Sequence, residues 1–410
     1  MGIYSPYDIE QNKKFSIYNG AYSMIAQTLV ASYLPLYAIH VLGATNQQVG
    51  WISSIPSLMA MIAMIPGAIW INRLHKKKEF TAYTALTARS FFLWFALIPY
   101  LPFTDKAWFL VILYALMNIP FATANLSWQS LIGDLIPDRE RGQFFSNRNR
   151  FVTIVSAAAI LLSGFVMDLF DKKLAGPYQV LFVFALLMGF MEVFYLLKHI
   201  EIVKRQDKRK KVRKVKFSFF AQMFKHRSYL FFLVSAIIFN FGWQMAWPLF
   251  TIYQINYANA TALWISLFTV ANQISQIISY RWWGSYADKW GNSTMLFIAS
   301  AGLSSAPILM VLSTNVIYLT AVNLWTGSFV AGITMLLFNQ LLAVSPEEDR
   351  TSFLANYNFI IAFIGFVSPQ IGVWLLEVLN MFQAMAISTI IRLLGAVSFF
   401  LVAFYLDKKA

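Results

Sequence analysis

The 410-residue chain has no cysteine. Disulfides, thiolate nucleophiles and cysteine-based metal sites are thereby excluded. Charge is scarce too: Asp, Glu, Lys and Arg make up 12% of the residues, where soluble domains carry about 25%. The four histidines, His40, His75, His199 and His226, are not at metal-ligand spacing from one another. Each is expected to be solvated, at a helix end or in a basic loop. P-loop, dinucleotide-binding, zincin and G-x-S-x-G signatures are missing. An enzyme, an ATP-driven pump, a resident cofactor and a bound metal are therefore not expected.

Apolar residues are plentiful: 59% of the chain is hydrophobic, with 38 Phe, 19 Tyr and 13 Trp. A soluble protein could not bury so much apolar surface, so the solvent must be a bilayer. A crossing helix needs roughly 20 apolar residues, and about twelve such stretches can be read. They are 16–41, 47–71, 81–101, 108–136, 143–169 and 177–198, then 229–255, 260–285, 293–312, 315–343, 352–377 and 383–406. The expected fold class is an all-α polytopic membrane protein built as two pseudo-symmetric six-helix bundles. Residues 1–14 are polar and the first apolar stretch is long enough to span, so no cleavable signal peptide is expected.

The net charge of +14 would suit a nucleic-acid ligand, but its placement argues otherwise. Alternating spans put nearly every Lys and Arg on one side of the membrane. The other side holds only Lys106, Lys172 and Lys173, while Arg89 and Arg392 lie inside spans. This positive-inside pattern predicts cytoplasmic termini in an inner or plasma membrane. No nucleic-acid partner is expected; membrane lipids are.

The chain also repeats itself. Pro137, Arg141, Phe144, Asn147 and Asn149 return as Pro346, Arg350, Phe353, Asn356 and Asn358, at one fixed offset close to half the chain length. A long basic segment, 201–218, separates the halves. It divides the chain into a bundle at 1–200, a cytoplasmic linker at 201–218 and a second bundle at 219–410. A duplicated helical bundle is the build of many secondary transporters, with the substrate path between the halves.

Short motifs sharpen this. Gly284, Asp288, Lys289 and Gly291 fit the loop pattern G-x-x-x-D-R/K-x-G without a gap. Ala68, Asn72, Arg73 and His75 hold the same places after the second span, with three of the four changed. Together with the repeated Pro–acid–Arg segments, these resemble the major facilitator superfamily over essentially the whole chain. The resemblance implies alternating access and a cytoplasmic latch in which Asp288 faces the start of the fifth span near Arg139 and Arg141. Arg73, Lys289 and Arg350 belong to the same loops. Asn72 removes the charge from the equivalent position and implies a weaker latch in the first half. On this reading Asp288→Asn shifts the protein toward its cytoplasm-open state.

The resemblance further implies that spans 1, 4, 7 and 10 line the central cavity. Polar residues already form stripes there: Asn19, Ser23, Tyr33 and Tyr37 with Gln27 at the margin, then Asn118, Asn125 and Gln129. Span 7 adds Asn240, Gln244, Trp247, Thr251 and Gln254, and span 10 adds Asn323, Thr326 and Thr334. Asn272 and Gln276 on span 8, and Asn356 and Asn358 on span 11, extend the set. The competing role for each is helix–helix hydrogen bonding. None of the cavity spans carries a carboxylate in its middle. Amides, hydroxyls and aromatic faces without a central charge suit a small neutral polar or sugar-like solute. Glu192, Arg89 and Arg392 fall in spans the resemblance places at the periphery, where the two arginines are expected to pair locally or snorkel. A coupling proton or sodium is possible. The rivals are an exporter of amphipathic drugs or lipids, disfavoured by a fifth span without its G-P-x-x-G-G stretch, and a non-transporting receptor with a transporter fold.

Overall fold

The computed structural model describes residues 5–71, 73–74, 76–201, 226–346 and 350–407. Side chains at 65, 138, 139, 141, 142, 351, 352 and 402–407 fall outside that description, as do Asn72, His75 and the basic linker from residue 202 onward.

Twelve long helices fill the described residues, and no strand occurs among them. They are α1 (Pro6–His40), α2 (Asn46–Ile71), α3 (Lys78–Leu97), α4 (Lys106–Leu135), α5 (Asp138–Met167) and α6 (Ala175–Leu197). The second set is α7 (Arg227–Ile252), α8 (Ala262–Trp290), α9 (Asn292–Val311), α10 (Val316–Val344), α11 (Arg350–Val378) and α12 (Met381–Asp407). Ten of them, all but α1 and α2, are long and apolar enough to cross a membrane by length and composition.

Local chemistry sets the ends. Ser5 and Asp8 form a reciprocal capping box before Pro6 starts α1, each accepting the other's backbone N–H at 3.1 Å. Asp105 caps α4 by accepting from the Trp108 amide at 3.0 Å, and Asn315 caps α10 from Ile317 at 2.8 Å. Gly291 separates α8 from α9 at φ +84°, a conformation that L side chains rarely adopt. The stretch predicted as one span at 293–312 bends: Asn292–Ser304 and Ala306–Val311 meet at Ser305, where Pro307 lacks an N–H for the helical ladder.

Two compact units result. The first comprises Met1–Gln48 and Leu58–Val212; the second comprises Val49–Ser57 and Arg213–Ala410. Within the first, α6 packs on α1 and α3, with α5 against α1 and α4 against α3. Within the second, α12 packs on α7 and α9, with α11 against α7 and α10 against α9. These four pairings of the first unit recur in the second, as a duplicated bundle requires, and in the second α8 also packs on α10. Buried Ala82, Leu131, Ile132, Leu135, Phe144 and Leu196 form one core; Phe232, Phe239, Leu296, Leu336, Phe353 and Phe399 belong to the other.

Candidate functional site

In the first unit the polar stripe of α1 leads to a buried charge pair. Arg89 on α3 donates through Nε to Glu192 Oε2 on α6 at 2.7 Å. Both residues are buried, 2% and 7% exposed. An unpaired charge there would cost several kcal/mol, so removing either partner strands the other. Gly189, one turn before Glu192, makes the approach possible, since a Cβ there would lie 2.7 Å from Arg89 Cγ. Arg89 Nη2 donates to Ser23 Oγ at 3.1 Å, and Gln27 Nε2 donates to the same hydroxyl at 2.8 Å. Asn19 Nδ2 holds the Glu192 carbonyl at 3.0 Å. The guanidinium also lies over the Phe92 and Phe121 rings at 5.6 and 5.5 Å. Sequence reasoning set Arg89 and Glu192 apart from the α1 stripe; the structure joins them to it. The available signal was their opposite sign, because charges inside a bilayer seek partners.

The second unit holds its buried arginine differently. Arg392 on α12 is fully buried. It donates to three backbone carbonyls: Gly242 at 3.2 Å and Trp243 at 3.2 Å on α7, and Leu303 at 3.1 Å on α9. Ser388 adds a bond to the Gly242 carbonyl at 2.8 Å. Each unit thus buries an arginine in its three-helix cluster, α1–α3–α6 or α7–α9–α12, but on non-equivalent helices: Arg89 on α3 is held by side chains, and Arg392 on α12 by main chain.

The expected cavity residues divide into groups. On α4, Asn118 is buried and turns its amide back to the Tyr114 carbonyl at 2.7 Å, whereas Asn125 and Gln129, one turn apart, are exposed. On α7, Asn240 is buried with its amide on the Ala236 carbonyl at 2.8 Å, Gln244 is buried, and Trp247 is exposed. Between α8 and α10, Asn272 Nδ2 reaches the Asn323 carbonyl at 3.2 Å and Thr326 Oγ1 at 3.1 Å. Gln276 Nε2 donates to Asn272 Oδ1 at 2.7 Å, so four of the expected residues form one connected network. Asn323 sends its own amide to the Leu319 carbonyl at 2.8 Å. Tyr33 and Tyr37 are fully buried inside the first unit. Their hydroxyls donate to the carbonyls of Ile160 on α5 at 3.2 Å and Phe95 on α3 at 2.9 Å. Both tyrosines are committed to helix–helix contacts.

At the loop ends, Arg73 is exposed after α2, Asp288 and Lys289 are exposed in the last turn of α8, Gly284 lies within α8, and Arg350 is exposed at the start of α11. The side chains of Arg139 and Arg141 lie outside the described residues. Nearby, Lys77 Nζ pairs with Asp134 at 2.6 Å, and the Glu201 carboxylate accepts the Lys77 and Lys78 amides at 2.8 and 2.9 Å at the start of α3. One expectation is overturned here. His199 is not solvated but 1% exposed. Its Nδ1 sits on the Tyr195 and Leu196 carbonyls at 3.1 and 2.9 Å, and its ring meets Phe15 edge-on. The chain after α6 folds back beneath α1, where Asn12 takes both the N–H and the C=O of Ile200 at 2.8 and 3.0 Å. Burial lowers the His199 pKa to about 4. Among the described residues no group of three or more His, Asp or Glu could hold a metal.

Comparison with known proteins agrees with this architecture. A sequence model of the Major Facilitator Superfamily matches residues 19–282. An uncharacterized MFS-type transporter of Methanocaldococcus jannaschii is 24% identical over 392 residues, covering 92% of this chain and 94% of that protein. Among solved structures, the nucleoside transporter NupG superposes with a TM-score of 0.75 at 11% identity, covering 95% of this chain and 99% of its own. A bacterial homolog of the lysosomal transporter Spinster gives 0.75 at 12%, with 99% of both chains covered. A D-xylose–proton symporter gives 0.71 at 14%, covering 95% and 97%. At these identities the likeness is one of fold.

Proposed function

The chain belongs to the Major Facilitator Superfamily, and from that premise we propose that it is a secondary transporter of a small neutral polar, sugar-like solute. It is an integral multi-pass membrane protein whose family and fold are those of transporters rather than enzymes. The observation that carries the substrate class is the pair of exposed carboxamides, Asn125 and Gln129, on a helix with no carboxylate in its middle. Carboxamides donate and accept at once, which matches hydroxyl groups. Exposed Trp247 on α7 offers a flat apolar face for a ring. The fold likeness to proteins described as a nucleoside transporter and a xylose–proton symporter supports the same class.

In this reading two six-helix bundles, 1–200 and 219–410, alternate access to the solute across twelve spans, with both termini cytoplasmic. The basic linker supplies positive charge on the cytoplasmic side. The loop residues Asp288, Arg139 and Arg141 act as the latch of the cytoplasm-closed state.

A ligand screen by thermal shift on the purified protein tests the reading. The panel holds sugars, nucleosides, amino acids, organic anions and cationic amphiphiles. A specific ligand at 100 times its Kd stabilises the native state by about 2.7 kcal/mol. The expected result is a neutral sugar or nucleoside hit that disappears in Asn125→Ala and Gln129→Ala. A cationic or lipid-like hit that survives both substitutions rejects the neutral-solute reading in favour of an exporter.

A further inference from the structure

Arg89, Arg392 and Arg148 are held in three different ways. Arg89 has the Glu192 carboxylate, and Arg392 has three main-chain carbonyls. Arg148, in the first half of α5, has one: its Nε donates to the Ser16 carbonyl of α1 at 3.1 Å. Its other hydrogen bond runs from Nη1 to Oδ1 of its exposed neighbour Asn149 at 3.3 Å. No Asp or Glu among the described residues lies within ion-pair distance of it. We propose that Arg148 is the centre of an oxyanion-binding subsite, which takes a carboxylate or phosphate group on the Nη1–Nη2 edge of the guanidinium. This goes beyond the neutral-solute reading and does not depend on it.

The guanidinium is half-buried between α1 and α4. Its Cζ lies 4.4 Å from the centroid of the Trp128 ring. Gly20 leaves the room it needs on α1, since a Cβ there would collide with Nη2. A guanidinium carries five N–H donors, and the two bonds above use two of them. A positive charge drawn out of water onto a ring face and one carbonyl is under-satisfied. Two groups on the residues that Arg148 touches are unpartnered as well: Ser16 Oγ and Trp128 Nε1 are buried without a hydrogen bond among the described residues. An indole N–H only donates and a hydroxyl can donate, so the set lacks an acceptor, which an oxyanion supplies and a cation does not. The Nη1–Nη2 edge presents two parallel N–H groups, the geometry that meets two oxygens of one carboxylate or phosphate. On α4, exposed Gln129 follows Trp128 directly and exposed Asn125 lies one turn before it, so the subsite adjoins the candidate solute site.

The internal repeat separates this charge from the needs of the fold. Asn147, Arg148 and Asn149 return in the second half as Asn356, Tyr357 and Asn358. In the place of Arg148, α11 carries Tyr357, which stacks on Phe232 of α7 with 5.9 Å between ring centroids. The contacts of α5 with α1 and of α11 with α7 are corresponding pairs. One half therefore closes this contact with two aromatic rings and the other with a cation. Either serves helix packing, but only the cation attracts an anion.

The test measures binding directly. Radiolabelled phosphate, acetate and glucuronate are equilibrated with the purified full-length protein in detergent, at an ionic strength held constant with chloride. The expected result is saturable binding of at least one of them that Arg148→Gln abolishes. Arg150→Gln, at an exposed neighbour, should leave that binding unchanged and so controls for general surface charge. Arg148→Lys keeps the charge but loses the fork of two donors, and should bind roughly tenfold more weakly. Phosphate or acetate binding identifies the oxyanion as a free ion. Glucuronate binding alone places the acidic group on the solute, in which case the subsite stands and the neutral part of the transporter reading falls. Binding of none of the three, binding unaltered in Arg148→Gln, or binding lost equally in Arg150→Gln overturns the proposal. Should Arg148→Gln fail to fold, Arg148→Lys decides, and undiminished binding there overturns it. A neutral hit in the thermal screen with no anion bound leaves the neutral-solute reading intact, so the two readings fail separately.

Discussion

Arg392 on α12 donates through Nη1 to the Leu303 carbonyl on α9 at 3.1 Å, beside the break in that helix at Ser305. The residue four positions on from Leu303 is Pro307, which has no N–H. The arginine therefore adds a charged donor to a carbonyl that Pro307 cannot serve and that the Ser305 N–H meets, while two further bonds hold α7. Arg392→Met should lower stability by about 3 kcal/mol, since several charge-assisted bonds go at once. Arg392→Lys should recover less than half, because one ammonium cannot span three carbonyls. Pro307→Ala restores a local donor and should make Arg392→Met less costly than in the wild-type background. Thermal unfolding in detergent of the four proteins checks all three statements.

Asn272 couples α8 to α10 through the Asn323 carbonyl and Thr326 Oγ1. A double-mutant cycle of Asn272→Ala with Thr326→Val should give a coupling energy of about 0.6 kcal/mol and not above about 1.7, the range found for hydrogen bonds inside membrane bundles. A ligand-dependent thermal shift that disappears in Asn272→Ala by more than this stability loss explains would mark the residue as a binding group as well as a helix tie.

Much of this fold could be read in the sequence, because a bilayer forces long apolar helices and leaves few alternatives. The repeat anchored at Pro137 and Pro346 pointed to a duplicated bundle, and the packing of α6 on α1 and α3, echoed by α12 on α7 and α9, is the detail that it left open. The details that escaped are tertiary. Arg89 and Glu192 are over a hundred residues apart, and only folding brings α3 against α6. His199 follows a run of apolar residues and precedes a basic segment, so nothing local marks it as buried. Its position depends on Asn12 clasping Ile200 from α1. Tyr33 and Tyr37 fall on the same stripe as Ser23, yet both are spent on neighbouring carbonyls, a choice decided by ring length and the space between α1, α3 and α5.

Lys13 on α1 pairs with Glu140 on α5 at 2.7 Å, and the bond to Glu140 raises the lysine pKa above its ordinary 10.5. Both side chains are partly exposed, so the pair is worth at most about 1 kcal/mol and weakens with salt. A raised lysine pKa contributes stability that is complete below the unfolded value of 10.5 and is lost only as pH rises past it. Glu140→Gln should therefore cost less than about 1 kcal/mol at neutral pH, with the cost vanishing in high salt. Unfolding midpoints in low and high salt measure this.

His199 supplies the pH dependence with the opposite sign. In the folded protein burial holds it neutral, with its pKa lowered from 6.5 to about 4. The unfolded chain binds a proton near 6.5 and the native state does not until about 4, so between those values the unfolded state carries more protons. Stability contributed by the neutral ring is whole above 6.5 and drains away as pH falls toward 4. A shift of this size corresponds to at most about 3 kcal/mol. The drain should begin locally, where α6 meets Asn12 and Phe15, because protonation there sets a charge beside Lys78 and Arg148. His199→Gln removes the titrating group while keeping a polar side chain. It should flatten the stability profile between pH 6.5 and 4 and leave the profile above 6.5 nearly parallel to the wild type. Hydrogen exchange at residues 196–200, followed across the same window, should show protection falling with pH in the wild type and constant in the variant. An acid loss of stability equally steep in both proteins would place its origin elsewhere in the molecule.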